Sequence, residues 1–224
     1  MVKKYAVIVA GGSGTRLGGD LPKQFQTLNG RPVLWWSMKA FHDEDPSTKI
    51  ILVLNGGFIG TWQDMYASLP PECQFPHTIT EGGTSRTESV KNGILSIPAS
   101  DDVLIAVHDA ARPLVTVDMI REGWKAAANH GAAIPAVPVT DSLRHIDADG
   151  SKAVDRKDYV AVQTPQVFKA SILKSAYKRN PEAVFTDDAS AVEAYGLEPV
   201  LFSGSPRNMK VTNPGDIQIA SLFL

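Results

Sequence analysis

Cysteine is almost absent from this sequence, and histidine is sparse. Cys73 is the only cysteine among 224 residues, and the five histidines are dispersed. A single cysteine excludes an internal disulfide and a multi-cysteine zinc site, and scattered histidines disfavour a zinc enzyme. We therefore interpret Cys73, like Trp35 and Trp36, as a packing residue.

Neither sign of charge is in excess. Lys and Arg number 22 against 24 Asp and Glu, which gives a net charge of -2. A balanced chain of this kind creates no strong field that would attract nucleic acid or an anionic membrane. We therefore predict no nucleic-acid partner, and we expect any anion site to be a local cluster of cations.

Long hydrophobic runs are also missing near the start of the chain. The apolar stretch at 6–9 follows Tyr5 directly and is too short for a signal peptide or a membrane span. We predict a cytoplasmic protein with no membrane partner. Its length and its 43% hydrophobic content suit one α/β domain whose core needs no disulfide or structural metal.

What the sequence does contain is an alternation of strand and helix patterns. Strands are predicted at 7–9, 49–54, 103–108, 132–139, 159–162, 199–202 and 208–211. Helices are predicted at 31–41, 60–69, 85–97, 117–130, 172–177, from 188 to a stop at Gly196, and from Asn213-Pro214 onward. The alternation predicts the α/β class: a Rossmann-like, mostly parallel twisted sheet with helices on both faces. Pro32 is expected in the first turn of its helix, and two prolines in 132–139 predict an edge or irregular strand.

A polar stretch at 141–156 interrupts this alternation. Asp149-Gly150 lies near its middle and is typical of a hairpin turn. A hairpin this polar does not belong in the core. We therefore predict a protruding β-arm at 139–158, within a single domain that covers 1–224.

The first strand pattern runs into a glycine-rich loop. The loop reads A-G-G-S-G-T-R-L-G from Ala10 to Gly18, and L-P-K-Q follows at 21–24. Successive backbone N–H groups in such a turn form an anion site, and Arg16 and Lys23 add two cations. Neither the Walker pattern nor the dinucleotide fingerprint fits. We favour a phosphate chain as the ligand over a plain turn after a first strand.

Residues beyond the loop also bear on a binding site. Arg86 and Ser89 are three apart at the start of a predicted helix, so both can face one site. Asp109 follows a predicted strand, where open α/β sheets bind ligands. It can meet ribose hydroxyls, a Mg²⁺ ion or both, or it can pair with Arg112. An inward Lys210 would need an anion such as a phosphate, whereas on an edge strand it would lie in solvent.

Several segments resemble one family of enzymes. A-G-G-x-G-T-R followed by P-K-Q is similar to the signature of nucleotidyltransferases that couple NTPs to phosphorylated sugars and polyols. The segments at 82–90, 108–113, 163–166, 186–190 and 209–212 resemble those of 2-C-methyl-D-erythritol 4-phosphate cytidylyltransferases. The matches run in order along nearly the whole chain.

The resemblance implies transfer of a cytidylyl group from CTP to 2-C-methyl-D-erythritol 4-phosphate, with release of pyrophosphate. It implies a nucleotide site made of Ala10, Gly11, Gly12, Ser13, Gly14, Gly82, Gly83, Arg86, Ser89, Asp109 and Ala110. It implies a substrate site made of Asp109, Arg112, Ser142, Arg156, Thr186 and Lys210. The catalytic residues would be Arg16, Lys23, Arg156 and Lys210. Mg²⁺ would bridge the CTP phosphates, with Asp109 as its one candidate protein ligand.

The family uses the arm to reach a second subunit. The resemblance therefore implies a homodimer in which Ser142 and Arg156 contact the substrate of the other protomer. Thr140 stands where many members carry a basic residue, so the resemblance supplies no cation at that point. Ser142 stands where Thr is common and keeps the hydroxyl.

Other functions remain open at this stage. A ribitol-5-phosphate cytidylyltransferase would share the glycine loop and the segments at 108–113 and 163–166, although Ala110-Ala111 and 154–156 favour methylerythritol phosphate. A UTP- or dTTP-dependent enzyme is disfavoured by 82–90. An inactive nucleotide-binding regulator should lack a charged site residue, yet Arg16, Lys23, Asp109 and Lys210 are all present. His108 is interpreted as structural.

Overall fold

The computed structural model describes residues 2–11, 21–179 and 181–224 of the chain. The strands are β1 (Lys3–Ala10), β2 (Thr27–Leu28), β3 (Arg31–Pro32), β4 (Lys49–Leu54), β5 (Thr78–Glu81), β6 (Val103–Asp109), β7 (Ala132–Pro138), β8 (Leu143–Asp147), β9 (Gly150–Val154), β10 (Val160–Val162), β11 (Gln166–Lys169) and β12 (Val200–Ser203). The helices are α1 (Val33–Glu44), α2 (Ile59–Ala67), α3 (Arg86–Ile94), α4 (Val117–His130), α5 (Ala170–Arg179), α6 (Asp188–Tyr195) and α7 (Pro214–Ser221).

One mixed sheet of eight strands organises these elements. Its order is β10-β7-β11-β6-β1-β4-β5, and β12 pairs with β7. The pairs among β6, β1, β4 and β5 are parallel, as is the pair of β12 with β7. The short strands β10 and β11 run antiparallel to their neighbours. The predicted α/β class, with a mostly parallel sheet, is confirmed.

Helices cover both faces of the sheet, because the side chains of each strand alternate between two apolar clusters. Ile8 and Leu52 pack on one face, while Val7 and Val53 pack on the other. The first face is covered by α1, α2 and α4, and the second by α3, α5 and α6. Burial on both faces explains why β1, β4 and β6 are continuous apolar runs in the sequence.

The sequence predicts an edge or irregular strand at 132–139, and the edge position is wrong. This strand, β7, has β12 on one side and β10 and β11 on the other. Pro135 is tolerated inside the sheet because it lies where the chain passes between β10 and β11. There its carbonyl accepts a hydrogen bond from Gln163 N at 2.8 Å, and on the other side of the strand Pro135 lies opposite Phe202 of β12.

Two other sequence predictions are wrong, and two strands of the structure were not predicted. Residues 208–211 form no strand; Val211 N instead donates to the carbonyl of Ala111 at 2.8 Å. Pro32 precedes its helix as the N-cap rather than lying in the first turn. The strands β5 and β11 lie where none was predicted, because β5 is short and polar and β11 has only four residues. The helix at 117–130 matches its predicted bounds.

The polar stretch forms the predicted hairpin. Strands β8 and β9 pair antiparallel in a sheet of their own, with Asp147 opposite Gly150 and a two-residue turn between them. Gly150 has φ +123°, a backbone conformation that residues with a side chain rarely adopt. The residues of the hairpin are almost all exposed, and Ile146 is 78% exposed.

None of the helices in the described part of the chain has the length and apolar character needed to cross a bilayer.

Close packing of α3 on the sheet makes Gly93 a sensitive position. A Cβ there would lie 2.7 Å from methyl carbons of Val7 and of Val53. We expect Gly93→Ala to lower the free energy of unfolding by about 1–3 kcal/mol, because overpacking outweighs the better helix propensity of alanine. Urea denaturation measures this change. Gly60→Ala in α2 is the control, since a Cβ there meets nothing within 4 Å; equal stability of the two variants would contradict the packing argument.

Candidate active site

A cavity of about 540 Å³ opens at the carboxyl ends of β1 and β6, beside the start of α3. Ligands of open α/β sheets bind at this edge. The described residues that line it are Val9, Ala10, Gly11, Lys23, Gln24, Asn55, Gly83, Thr84, Ser85, Arg86, Ser89, Asp109, Ala110, Ala111 and Lys210. An adjoining cavity of about 410 Å³ shares Asn55, Gly83 and Thr84 and is also lined by Gly82.

The carboxylate of Asp109 is the centre of the charge arrangement. Lys210 Nζ lies 2.7 Å from Asp109 Oδ2, Arg86 Nε lies 3.4 Å from Oδ1, and Arg112 Nε lies 3.9 Å from Oδ2. Burial alone would raise the pKa of Asp109, but Arg86, Lys210 and Arg112 together hold that pKa well below its usual value. Asp109 is therefore an anion fixed among cations at the cavity wall.

Arg86 links Asp109 to a second carboxylate behind the cavity wall. Its Nη2 donates to Asp188 Oδ2 at 2.7 Å, while its Nε faces Asp109. Burial would lower the pKa of Arg86, yet the two carboxylates raise it above its usual value. The guanidinium is thus held as a cation between two anions.

Two glycine turns form the neutral wall of the site, and Ser89 joins them. Ser89 Oγ accepts from Gly83 N at 3.1 Å and donates to the carbonyl of Ser85 at 2.9 Å. A Cβ on Gly11 or on Gly82 would approach this hydroxyl to 2.8 or 2.9 Å. Only glycine lets both backbones pack this closely, so the wall presents main-chain atoms rather than side chains to the cavity.

Behind the cavity lining, His108 and Thr164 fix the end of β6. Thr164 Oγ1 accepts from Asp109 N at 3.1 Å and lies 3.1 Å from His108 Nδ1, while His108 Nε2 lies 3.1 Å from the carbonyl of Arg112. Because a carbonyl can only accept, Nε2 carries the proton and Nδ1 accepts from the threonine. Burial lowers the pKa of His108 to about 4. This neutral, fully buried ring has the structural role expected from the sequence.

The predicted site residues divide into three groups. Ala10, Gly11, Lys23, Gly83, Arg86, Ser89, Asp109, Ala110 and Lys210 meet in one cavity, with Gly82 in the adjoining one and Arg112 beside Asp109. Gly12, Ser13, Gly14 and Arg16 lie outside the described residues. Ser142 and Arg156 lie on and beside the exposed hairpin, and Thr186 is exposed before α6, so this chain does not bring those three into the cavity lining.

Sequence reasoning assigned no role to several residues that build the site. Gln24 Nε2 donates to the carbonyl of Ala10 at 2.8 Å and so holds the end of β1. Thr164 and Asp188 act from elements distant in sequence. All three lie inside segments that carry the family resemblance, which is the signal that marked them without showing their contacts.

The described residues offer few ligands for a metal ion. Asp109 is the only carboxylate among the described lining residues, and its oxygens already face Lys210 and Arg86. No group of three His, Cys, Asp or Glu in the described part of the chain is placed to hold a metal. A Mg²⁺ ion here would take at most this one described carboxylate, and phosphate oxygens and water would have to supply its other ligands.

Comparisons with known proteins agree along nearly the whole chain. A family model described as IspD, 2-C-methyl-D-erythritol 4-phosphate cytidylyltransferase, matches residues 4–224. Proteins named 2-C-methyl-D-erythritol 4-phosphate cytidylyltransferase from Bacteroides thetaiotaomicron and Phocaeicola vulgatus are 44% and 41% identical over 225 and 223 residues, and each match covers 100% of both chains. Crystal structures so named from Thermus thermophilus and Francisella tularensis are 29% identical, with TM-scores of 0.77 and 0.79. Each match covers 99% of this chain, and 98% and 100% of the respective solved chains.

The buried neutral His108 predicts a pH dependence of stability. The unfolded chain binds a proton at this residue below about pH 6.5, whereas the folded chain does so only near pH 4, so stability is present above pH 6.5 and falls as pH drops between these values. The loss reaches about 3 kcal/mol at most. We expect His108→Gln to flatten the stability profile between about pH 6.5 and 4.5, measured by urea denaturation. The same substitution at exposed His145 is the control, and identical slopes for His108→Gln and the native protein would contradict the assignment.

Proposed function

The chain belongs to the IspD family of 2-C-methyl-D-erythritol 4-phosphate cytidylyltransferases, and we propose that the cavity around Asp109 is where it carries out that family's reaction. The enzyme transfers the cytidylyl group of CTP to 2-C-methyl-D-erythritol 4-phosphate and releases pyrophosphate, in isoprenoid precursor synthesis. The observation that supports this location is the meeting of Lys23, Arg86 and Lys210 with main-chain glycines at the carboxyl edge of the sheet.

The nucleophile in this reaction is an oxygen of the substrate phosphate. A phosphate monoester has a second pKa near 6, so it is largely dianionic at neutral pH. The oxygen attacks the α-phosphorus of CTP, a new P–O bond forms, and the bond from the α-phosphorus to the bridging oxygen breaks as pyrophosphate leaves. No general base is needed, which agrees with a histidine, His108, whose ring nitrogens are both engaged within the protein.

Cations must bring these two polyanions together. Lys23, with Arg16 of the glycine loop, stabilises the α-phosphate transition state and the leaving pyrophosphate. Lys210 holds the attacking phosphate in line, and its side chain is 41% exposed while paired with Asp109, so a phosphate can reach it. A Mg²⁺ ion would supply further neutralisation of the phosphate charge, and Asp109 is the one described lining residue that could serve as its ligand.

The glycine wall receives the nucleoside. The nucleotide site that the family resemblance implies includes Gly82, Gly83, Arg86 and Ser89. Ala10, Gly11 and Ala110 line the same cavity. Main-chain groups at the two glycine turns read the edge of the cytosine, and Asp109 accepts from ribose or polyol hydroxyls.

The exposed hairpin completes the site of a second subunit in a cytoplasmic homodimer. Arg156 donates a hydrogen bond to the carbonyl of Thr140, which fixes its position at the base of the arm. Nearby Tyr159, Val160 and Val162 are 48%, 45% and 37% exposed, an apolar surface suited to a partner chain. Ser142 and Arg156 would then contact the substrate phosphate or polyol in the partner's site. Thr186 and Arg112 would contact the substrate in the chain's own site.

The substrate assignment is tested by pyrophosphate release with CTP and Mg²⁺. We expect turnover with 2-C-methyl-D-erythritol 4-phosphate, and a kcat/KM at least about 10²-fold lower with ribitol 5-phosphate, because hydroxyl contacts unsatisfied by the wrong polyol are costly. UTP in place of CTP is the control for base recognition. Turnover with ribitol 5-phosphate alone would overturn the polyol assignment, and no release with either polyol would overturn the cavity's proposed role.

Active sites shared between subunits predict complementation. Lys23→Ala and Arg156→Ala should each lower kcat by about 10²-fold or more, the scale of losing one transition-state donor. Co-expression of the two variants should restore up to about a quarter of native activity, because half of the dimers then contain one unaltered site.

The control for this test is Arg144→Ala, also on the hairpin, where the side chain bonds Ser151 of the same arm. When Arg144→Ala is co-expressed with Lys23→Ala, every site that keeps Lys23 should stay active. The kcat of Arg144→Ala alone should stay within about threefold of native. If co-expression of Lys23→Ala with Arg156→Ala gives no recovery in isolated mixed dimers, Arg156 does not act across the interface.

A further inference from the structure

Asp188 is a fully buried carboxylate that the reaction does not use. It is the first residue of α6 and has no exposed surface. Burying a charge is costly unless ion pairs and hydrogen bonds compensate it. The contacts of Asp188 therefore show what the residue is held in place to do.

Asp188 is not needed to cap its own helix. The preceding residue, Asp187, is the N-cap, and its Oδ1 accepts from Ser190 N at 2.9 Å. The side chain of Asp188 instead reaches two other helices. Its Oδ1 accepts from Tyr177 Oη of α5 at 2.6 Å, and its Oδ2 accepts from Arg86 Nη2 of α3 at 2.7 Å.

The backbone that carries Asp188 is also fixed. Gln166 Oε1 accepts from the N–H groups of both Asp188 and Ala189 at 2.9 Å, and Gln166 Nε2 donates to Asp187 Oδ2 at 2.8 Å. Gln166 is itself 1% exposed at the start of β11. The sheet thus positions the first turn of α6, and that turn positions the carboxylate.

We propose that Asp188 is a positioning residue for the nucleotide, acting through Arg86. The closer partner of the guanidinium is Asp188, at 2.7 Å, whereas its Nε is 3.4 Å from Asp109. This pair limits the contact of Arg86 with Asp109 to the 3.4 Å approach at Oδ1, on a carboxylate whose Oδ2 already faces Lys210. Without the charge on Asp188, Arg86 closes on Asp109 and occupies the oxygens that the nucleoside requires.

The inference rests on the proposed function only in taking CTP as the ligand of this cavity. Binding of CTP with Mg²⁺ is therefore measured directly by calorimetry, without turnover. We expect Asp188→Asn, which keeps the shape of the side chain, to raise the Kd for CTP about 10-fold. The KM for CTP should rise by a similar factor while kcat changes by less than about threefold, because Arg86 lies at the binding wall and not at the reacting phosphorus.

A double-mutant cycle separates positioning from a general structural effect. In an Arg86→Gln background, adding Asp188→Asn should change the Kd for CTP by less than about twofold, because the residue through which it acts has been removed. A further 10-fold loss in that background would show an independent effect and overturn the proposal. So would native CTP affinity in a folded Asp188→Asn variant.

Glu193→Gln is the control. It removes a charge from an exposed position on the same helix and does not touch Arg86, so the Kd for CTP should stay within about twofold of native. If Asp188→Asn does not fold, Arg86→Lys tests the same geometry, since one ammonium nitrogen cannot span both carboxylates. Arg86→Lys should then raise the Kd about 10-fold, and native affinity would overturn the proposal. If the Kd values for CTP follow these expectations but the native protein releases no pyrophosphate, the proposed reaction is rejected and the positioning role of Asp188 stands.

Discussion

The compensation of Asp109 by cations is the interaction on which the rest of the site depends. A carboxylate that is only 12% exposed would be expensive to keep ionised without close positive partners. Arg86, Arg112 and Lys210 come from three separate parts of the chain, so their meeting at one carboxylate fixes the relative positions of α3, the end of β6 and the segment before α7. The cavity owes its shape to this electrostatic requirement as much as to apolar packing.

The antiparallel strand β11 links that carboxylate to the rest of the fold. Thr164, two residues before β11, accepts a hydrogen bond from the backbone N–H of Asp109. Gln166, the first residue of β11, accepts hydrogen bonds from two backbone N–H groups in the first turn of α6. A parallel strand in this place would need a long crossover connection, whereas the short reversed strand inserts between β6 and β7 directly after β10. One four-residue strand therefore positions both carboxylates that flank Arg86.

Sequence reasoning could predict what depends on local pattern. The continuous apolar runs of β1, β4 and β6 and the amphipathic α4 identify themselves, and the hairpin follows from polarity and Asp149-Gly150. The strands β5 and β11 could not be predicted, because they are short and owe their pairing to neighbours distant in sequence. For the same reason, Lys210 was interpreted as part of a strand, whereas its position is set by Asp109 and by a hydrogen bond from Val211 to Ala111. Motifs showed which residues matter, but the Arg86–Asp188 pair spans 102 positions and became visible only in three dimensions.

A chain with a net charge of -2 handles polyanions by keeping its site close to balance until the ligands arrive. Among the described residues, Arg86, Arg112 and Lys210 face the carboxylates of Asp109 and Asp188, and Lys23 on the cavity wall interacts with Asp216, which leaves a surplus of one positive charge. A triphosphate meeting a phosphate monoester brings more negative charge than this surplus compensates. Adding resident cations would destabilise the empty site through repulsion and desolvation. The proposed arrangement avoids that cost by supplying the remaining charge from outside the cavity: Mg²⁺ arrives with the nucleotide, and Arg156 arrives on the arm of a second subunit. In this proposal, the exposed hairpin and the sparse metal ligands among the described residues follow from one electrostatic constraint.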